Sequence, residues 1–322
     1  MNAWRQPGFW LTVLLVLAGG GAALVTRDST LRELVFTLLM FVALSSSLNI
    51  MMGYTGYVNF GHIVFFGLGG YAGFYLISQH GWPLYIAALV GGCVSALIAA
   101  LLGAAILRLR GAYFALATIG INEAARAFVN NFGPFGGPTG MFINFSAYQA
   151  YGGAMQALWT TYTLLLVVTL AVVVASYMVK HSRFGLGLMG IREDEDAAMV
   201  MGVKAPNFKT VAYIISAFFP GIIGTLYFFK NGNVEPGDAF RLHMSIEMLV
   251  MVMLGGNGTV LGPVLGAVGY ERLRGFLLTS PLFKNLHLAF AGLALLLIVL
   301  FVPAGVVGWL RSRFPALRKV LV

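Results

Sequence analysis

Charge is the scarcest thing in this sequence. Asp, Glu, Lys and Arg make up 10% of its 322 residues, and only 11 residues are acids. Soluble domains carry about 25% charged residues, so a chain with a wholly water-facing surface is excluded. Cysteine is almost absent as well. The single thiol, Cys93, lies in the apolar run "LYIAALVGGCVSALIAALL", where it has no disulfide partner and reads as a small packing residue. The five histidines, His62, His80, His181, His243 and His287, form no ligand-spaced cluster, so no metal site is expected. The sequence has no Gly-x-x-x-x-Gly-Lys-Ser/Thr loop to cradle phosphates and no His-Glu-x-x-His helix. Nor does it hold a Ser/His/Asp or His-x-x-x-x-Asp arrangement in a recognisable context. No catalytic residues are expected, and the chain does not read as an enzyme.

What is abundant is apolar surface. Hydrophobic residues reach 59% and fall in runs long enough to cross the hydrocarbon core of a bilayer. The pattern predicts spans at 9–25, 34–52, 58–79, 84–107, 112–130, 158–179, 210–230 and 286–303. The segment 243–278 is apolar but interrupted by "GGNG" at 255–258, which predicts two shorter helices meeting at a turn, either a hairpin or a re-entrant element. The expected fold class is an all-α polytopic membrane protein with about 8–10 transmembrane helices and one broken or re-entrant segment near 243–278. The basic start "MNAWRQ" before "FWLTVLLVLAGGGAALV" imitates a secretory signal peptide. Another apolar run follows closely, which favours an uncleaved first span.

A net charge of +9 invites comparison with nucleic-acid-binding proteins, but in so apolar a chain basic residues mark the cytoplasmic side of a membrane. No nucleic-acid partner is expected. The basic groups are Arg5; Arg108 and Arg110; Lys180, Arg183, Arg192, Lys204 and Lys209; and Arg311, Arg313, Arg318 and Lys319. With the hairpin reading they share one side, so both termini and the loop 180–209 are expected in the cytoplasm. The longest loop of the opposite side, 131–157, contains no Lys, Arg, Asp or Glu, as suits an outer face.

Four of the acids stand together at Glu193, Asp194, Glu195 and Asp196 inside that cytoplasmic loop. Acids favour the first turn of a helix, where backbone amides point outward and the dipole welcomes negative charge. A short helix is therefore expected to start there and to stop at Gly202, with Ala197 over Met201 and Ala198 over Gly202. So short a helix is marginal alone. Its face of Ala, Met and Gly either docks a partner protein or packs on its own membrane domain.

At this point the sequence resembles a known family. "GIREDEDAAMVMGV" at 190–203 looks like the cytoplasmic coupling loop of ABC importer permeases, and Asp196-Ala197-Ala198-x-x-x-Gly202 resembles their Glu-Ala-Ala-x-x-x-Gly pattern with Asp for Glu. Four further stretches are similar to the branched-chain amino acid ABC transporter permease family, the LivM-like inner-membrane permease subunits. They are "GYTGYVNFGHIVFFGLGGYAG" at 53–73, "RLRGAYFALATIGINEAARAF" at 108–128, "GGPTGM" at 136–141 and "SIEMLVMVMLGGNGTVLGPVLGA" at 245–267. They run in family order over roughly residues 35–305. The importer pattern continues to a hydrophobic-Leu-Pro element that has no firm match here; "FFPG" at 218–221 is the nearest stretch.

The resemblance implies one transmembrane permease domain over 1–322, with 180–209 as its coupling loop, in the bacterial cytoplasmic (inner) membrane. It implies ATPase-coupling residues at Arg192, Glu193, Asp194, Glu195, Ala197, Ala198, Met201 and Gly202. The implied partners are two cytosolic ABC ATPase subunits, a homologous second permease and an extracytoplasmic solute-binding protein. That protein would meet Glu235, Asp238 and Arg241 on the outer face. No cofactor is implied in this chain, because ATP would be bound by the partner subunits. The implied substrate is a branched-chain amino acid, with urea, short amides and aromatic amino acids as alternatives within the same importer class. An ion-gradient-driven secondary transporter is the competing class, and it predicts an intramembrane relay of ionisable residues that this chain hardly offers.

Polar residues inside spans mark candidate solute paths, since lipid cannot satisfy them. Asn59 and His62 follow the glycines of "GYTGYVNFGH" and either expose an interrupted helix to the path or close a turn at the membrane edge. Asn122, Glu123 and Arg126 lie near the outer end of their span, and either serve the path or, for Glu123 and Arg126 three apart, pair with each other. Glu247 either faces the path or meets a buried donor. Asn257 belongs to the interruption itself. Clustered glycines such as Gly67-Leu-Gly69-Gly70 and Gly262-x-x-x-Gly266 predict close helix packing. Gly53-x-x-Gly56 leading to "GLGGY" also echoes Gly255-x-x-Gly258 leading to "GAVGY", which raises an internal repeat with the solute path between two halves.

Overall fold

Helices account for nearly all the regular structure. The computed structural model describes residues 7–279, 292, 293, 296 and 305–313. In chain order the elements are α1 (Pro7–Thr26), α2 (Ser29–Thr55), α3 (Ile63–His80), α4 (Leu84–Ile106), α5 (Ala112–Asn131), β1 (Met141–Phe142), α6 (Ser146–Gln149) and α7 (Ala154–Lys180). They continue as α8 (Arg183–Glu193), α9 (Glu195–Val200), α10 (Ala205–Asn231), β2 (Asn233–Val234), α11 (Pro236–Ala239), α12 (Leu242–Gly255), α13 (Leu261–Thr279) and α14 (Gly305–Arg313). Among the described residues, α1, α2, α4, α7 and α10 are long and apolar enough to cross a membrane. The fold is an all-α polytopic membrane protein. The expected span 286–303 lies outside the described residues except for positions 292, 293 and 296, which are helical.

The centre of the bundle is α2, which touches α1, α7, α8, α10, α12 and α13. Asp28 caps its start by accepting the Thr30 amide at 2.8 Å, and from Leu39 to Thr55 every residue is buried. A helix buried all round is the kind that apolar sequence without a polar stripe should give. Beside it, α3, α4 and α10 meet through small residues. A Cβ on Gly69 would fall on Ser95 and on the backbone of Gly221, and one on Gly70 would fall against Phe228 and the backbone of Gly224. These contacts bear out the packing expectation for the Gly67–Gly70 cluster, and they surround Pro220, which α10 carries in its interior without breaking. Cys93 departs from its packing role, because it is exposed on α4.

Of two expected elements, one differs in detail from the sequence pattern and one follows it. The span 58–79 begins as a helix only at Ile63, because Gly56 takes φ +78° and ends α2, leaving residues 56–62 as an extended link and turn. The segment 243–278 forms the expected hairpin: α12 descends, turns at 256–260, and α13 returns against it. Gly256 (φ +133°) and Gly258 (φ +77°) make the turn, and Thr259 Oγ1 accepts the Gly262 amide at 3.0 Å. The two helices touch backbone to backbone, since a Cβ on Gly266 would fall on the Met251 carbonyl and one on Gly255 on the Gly262 carbonyl.

The bundle therefore has two distinct ends. One holds residues 55–62, 107–111, 181–204, 256–260 and α14; the other holds the loops at 27–28, 81–83, 132–153 and 232–241. At the second end β1 pairs antiparallel with β2, Met141 opposite Val234 and Phe142 opposite Asn233, joining loops 131–157 and 231–242. Arg108, Arg110, Lys180, Arg183, Arg192, Lys204, Lys209, Arg311 and Arg313 all belong to the first end, as the shared-side expectation requires.

The hairpin contact makes a direct prediction. Gly266→Leu should overpack the α12–α13 seam and cost about 1–3 kcal/mol, whereas Gly120→Ala, whose Cβ meets nothing within 4 Å, should be tolerated. Thermal unfolding of the purified chain in detergent distinguishes the two, with a lowered midpoint expected only for Gly266→Leu.

Candidate functional site

A helix that stops inside an apolar bundle must find protein partners for its free amides and carbonyls. Residues 56–62 find them on three neighbouring helices. Ser47 of α2 lies 3.0 Å from His62 Nε2, Thr118 of α5 accepts the Phe60 amide at 3.1 Å, and Ser245 of α12 accepts the Ile63 amide at 3.2 Å. Asn59 Oδ1 accepts the Gly61 amide at 2.9 Å and closes the turn. Asn59 and His62 are fully buried, and Asn59 Nδ2 and His62 Nδ1 have no hydrogen-bond partner among the described residues.

The second break, at 256–260, lies against the first. Asn49 Nδ2 donates to the Thr259 carbonyl at 2.9 Å while its Oδ1 accepts the Gly258 amide at 3.0 Å. A Cβ on Gly53 would stand 2.8 Å from the Gly258 nitrogen. The Gly-x-x-Gly echo in the sequence thus corresponds to two interruptions packed side by side. Asn257 sits in this turn, half-buried, with its Oδ1 unpartnered among the described residues.

Arg192 links these breaks to the charged loop. Its Nη1 donates to the Gly53 carbonyl at 2.8 Å, and its side chain lies against Gly56 and Gly258. Glu193 closes α8 rather than opening the short helix, which corrects its expected place in a first turn: an 11-residue helix, α8, already fills the loop up to it. Asp194 is the cap of α9, accepting the amides of Asp196 at 2.9 Å and Ala197 at 3.0 Å. Glu195 and Asp196 occupy the first turn, as expected. Gly202 (φ +91°) ends the helix in a Schellman turn, with Val203 N bonded to Ala198 O and Gly202 N to Met199 O, both at 3.0 Å.

The acids of α9 are tied down. Glu195 accepts Lys209 Nζ at 2.8 Å and Tyr57 Oη at 2.7 Å; Lys209, 2% exposed, also donates to Tyr57 Oη at 2.9 Å and to the Leu107 carbonyl at 2.7 Å. Arg110 grips Asp196 with two bonds of 2.8 and 3.0 Å. Burial pushes the Glu195 carboxyl up, but Lys209, Tyr57 and Arg110 outweigh it and hold the group below its ordinary value. Asp196 is held low by Arg110. Gly56, Tyr57, Arg110, Arg192 and Glu195 border a cavity of about 430 Å³ under the first break, and Lys209 bonds to Tyr57 and Glu195 of that wall.

What remains open on α9 is apolar. Val200 is 87% and Met201 85% exposed, and Ala197 and Gly202 are exposed with them. Ala198 departs from the expected docking face: it is 7% exposed, packed with Ile191 and Ala205. It lies on the same inward side of α9 as Glu195, which is bonded to Lys209.

Three other expectations sort themselves by position. Glu123 is not brought to the interior; it is exposed on α5, 3.8 Å from Arg126, while its neighbour Asn122 is the buried residue and donates to the Phe240 carbonyl at 3.0 Å. Glu235, Asp238 and Arg241 are exposed at the β1–β2 end, Arg241 lying 3.5 Å from Asp238 and Glu235 accepting Asn233 Nδ2 at 3.1 Å. Glu247 is buried and meets Tyr270 Oη at 3.3 Å and Arg274 Nε at 3.6 Å.

Removing one partner of a buried ion pair strands the other charge, at about 3–5 kcal/mol. Glu195→Gln should therefore release α9 from Lys209 and raise amide exchange across 194–203, whereas Asp196→Asn, on an exposed and solvent-screened pair, should leave that exchange close to wild type. Both carboxyls have lowered values in the folded chain, so their contribution is complete above the ordinary carboxylate range and fades as pH falls through their folded values. Exchange protection of α9 should stay level from pH 8 to 5 and drop only below about pH 4.

Comparison with known proteins places this geometry in a family. The profile described as "Branched-chain amino acid transport system / permease component" matches residues 30–309. The high-affinity branched-chain amino acid transport system permease protein LivM of Salmonella typhimurium is 31% identical over 299 residues, covering 83% of this chain and 68% of that protein. LivM of Escherichia coli (strain K12) is 30% identical over 299 residues with the same coverage. Matched over most of its length, with its helix breaks and charged loop inside the matched region, this chain belongs to the branched-chain amino acid transport system permease component family.

Proposed function

We propose that this chain is the membrane-spanning permease subunit of an ATP-binding-cassette importer that carries branched-chain amino acids across the bacterial cytoplasmic membrane. The observation that carries the reading is α9: its polar side is bound to Lys209, Arg110 and Tyr57, and its exposed side offers Val200 and Met201 to a partner. An exposed apolar tip on a rigid, charge-anchored base is suited to docking. A separate ATPase pair supplies the work, binding ATP away from this chain and pressing on α9. Through Arg192, which also holds Gly53, that push reaches the two helix breaks, where the solute path would open. A homologous second permease completes the membrane unit.

In this reading the end with α8, α9 and α14 is cytoplasmic, both termini included, and the β1–β2 end receives an extracytoplasmic solute-binding protein at Glu235, Asp238 and Arg241. The basic residues of the first end support that orientation. The names of the LivM relatives support a branched-chain amino acid as cargo.

Two measurements test it. Uptake in reconstituted vesicles should stop when the phosphate-loop lysine of the partner ATPase is replaced while an ion gradient persists; continued uptake overturns the importer reading in favour of a secondary transporter. Val200→Asp and Met201→Asp, which touch none of the anchoring bonds, should reduce co-purification of the ATPase at least about tenfold, as expected for apolar anchors at an interface centre. Unchanged association overturns the docking role of α9.

A further inference from the structure

Away from both helix breaks, a small cavity of about 180 Å³ opens between α2, α10, α12 and α13. At ~30 Å³ of liquid volume per water it has room for roughly six waters, the scale of a small solute. Its floor holds an opposite-charge pair, Glu247 and Arg274. Ionisable groups at this depth are costly and mark sites by default. Met40, Phe41, Met244 and Tyr227 supply apolar wall, and Arg241 and His243 stand where α12 starts, at the β1–β2 end.

The pair is close but not closed. Arg274 Nε lies 3.6 Å from Glu247 Oε1, within ion-pair range and too long for a hydrogen bond. That nitrogen is buried and has no hydrogen-bond partner among the described residues. The guanidinium is steadied from behind by Glu271, which accepts Nη1 at 3.3 Å, and from one side by Phe41, whose ring centre is 6.0 Å from Arg274 Cζ. Tyr270 steadies the carboxylate of Glu247 at 3.3 Å. A buried donor without an acceptor is an unfavourable arrangement that a ligand oxygen would relieve.

We propose that this cavity is a binding site for a zwitterionic α-amino acid, with Arg274 receiving the carboxylate, Glu247 the ammonium, and Met40, Phe41 and Met244 the apolar side chain. Charge matching selects the ligand class. The cavity presents opposite charges side by side, with Glu271 backing Arg274 and Arg241 also in the wall, so an anion or a cation alone would engage only one member of the Glu247–Arg274 pair. A zwitterion, with both charges borne by one carbon, satisfies the pair without adding net charge. An uncharged amide or urea offers Glu247 and Arg274 only neutral hydrogen bonds, weaker than the charge-assisted ones of a zwitterion, so the site disfavours those alternative cargoes. The position near the β1–β2 end makes it a receiving site, ahead of the breaks at 56–62 and 256–260.

This inference rests on the importer reading, and the experiment separates the two. The transporter, assembled with its second permease and ATPases but without the solute-binding protein, is tested in detergent for binding of leucine, of leucinamide, which lacks the carboxylate, and of 4-methylpentanoate, which lacks the ammonium. Leucine should bind and the other two should not. Glu247→Gln and Arg274→Gln should weaken leucine binding at least about tenfold, as expected when charge-assisted hydrogen bonds are lost. Arg274→Lys keeps the charge and covers the case in which the neutral variants do not assemble; it should also weaken leucine binding, having lost the guanidinium fork. Equal binding of leucine by wild type and Arg274→Lys, or equal binding of all three ligands, overturns the site. ATP-driven leucine uptake by the complete transporter, measured alongside, reports on the importer reading: if it persists while the variants bind leucine as wild type does, the site alone falls. If wild type shows no ATP-driven uptake, the importer reading falls, and this role for the site with it.

Discussion

Where packing excludes water, an unpaired amide must find a protein partner, and this chain breaks its helices at two such places. Most of the polar residues in its interior answer to that constraint. Ser47, Thr118 and Ser245 come from three different helices to serve one seven-residue link, and Asn49 uses both ends of its amide on the other break. The glycines on either side allow the breaks to touch. A side chain at Gly53 would drive them apart. The interruptions are therefore built features, held by partners whose only evident task is to hold them.

The charged loop is the other half of the same design. Its acids are unusual in so apolar a chain, and nearly all their valence is used internally. Asp194 caps α9, Glu195 neutralises a buried lysine, and Asp196 takes a bidentate arginine. Because Lys209 reaches the Leu107 carbonyl and Arg110 belongs to the same α4–α5 connection, α9 is fixed to that connection, to α10 and to Tyr57 at the mouth of the first break. Arg192 extends the linkage to Gly53. A small element attached at so many points is built to move as a unit, which is what the proposed docking role asks of it.

Local pattern made several of these parts legible. The hairpin at 243–278 followed from an apolar run cut by glycines, and the start of α9 from acids clustered before Ala-Ala, because caps and turns are set by neighbours in sequence. Positions that depend on distant residues were not legible in that way. Lys209 looked like one more basic residue of the cytoplasmic side, and nothing adjacent to it foretells burial between Tyr57 and Glu195. Ala198 is equivalent to Ala197 in any local reading, yet only one of them faces out. Glu123 and Asn122 are neighbours on α5, and the less charged one went inward, where the Phe240 carbonyl was waiting.

The sequence by itself determined that this is a polytopic helical membrane protein and where its helices are interrupted. Hydropathy, glycine placement and charge distribution act over short stretches and need no tertiary partner. Only the tertiary structure decided that the two interruptions lie together, that Arg192 and Lys209 bind the charged loop to them, and that Glu247 shares a cavity with Arg274. Those relations join residues tens to hundreds of positions apart. They exist because burial in an apolar bundle forces each polar group to find its partner wherever the fold happens to bring one.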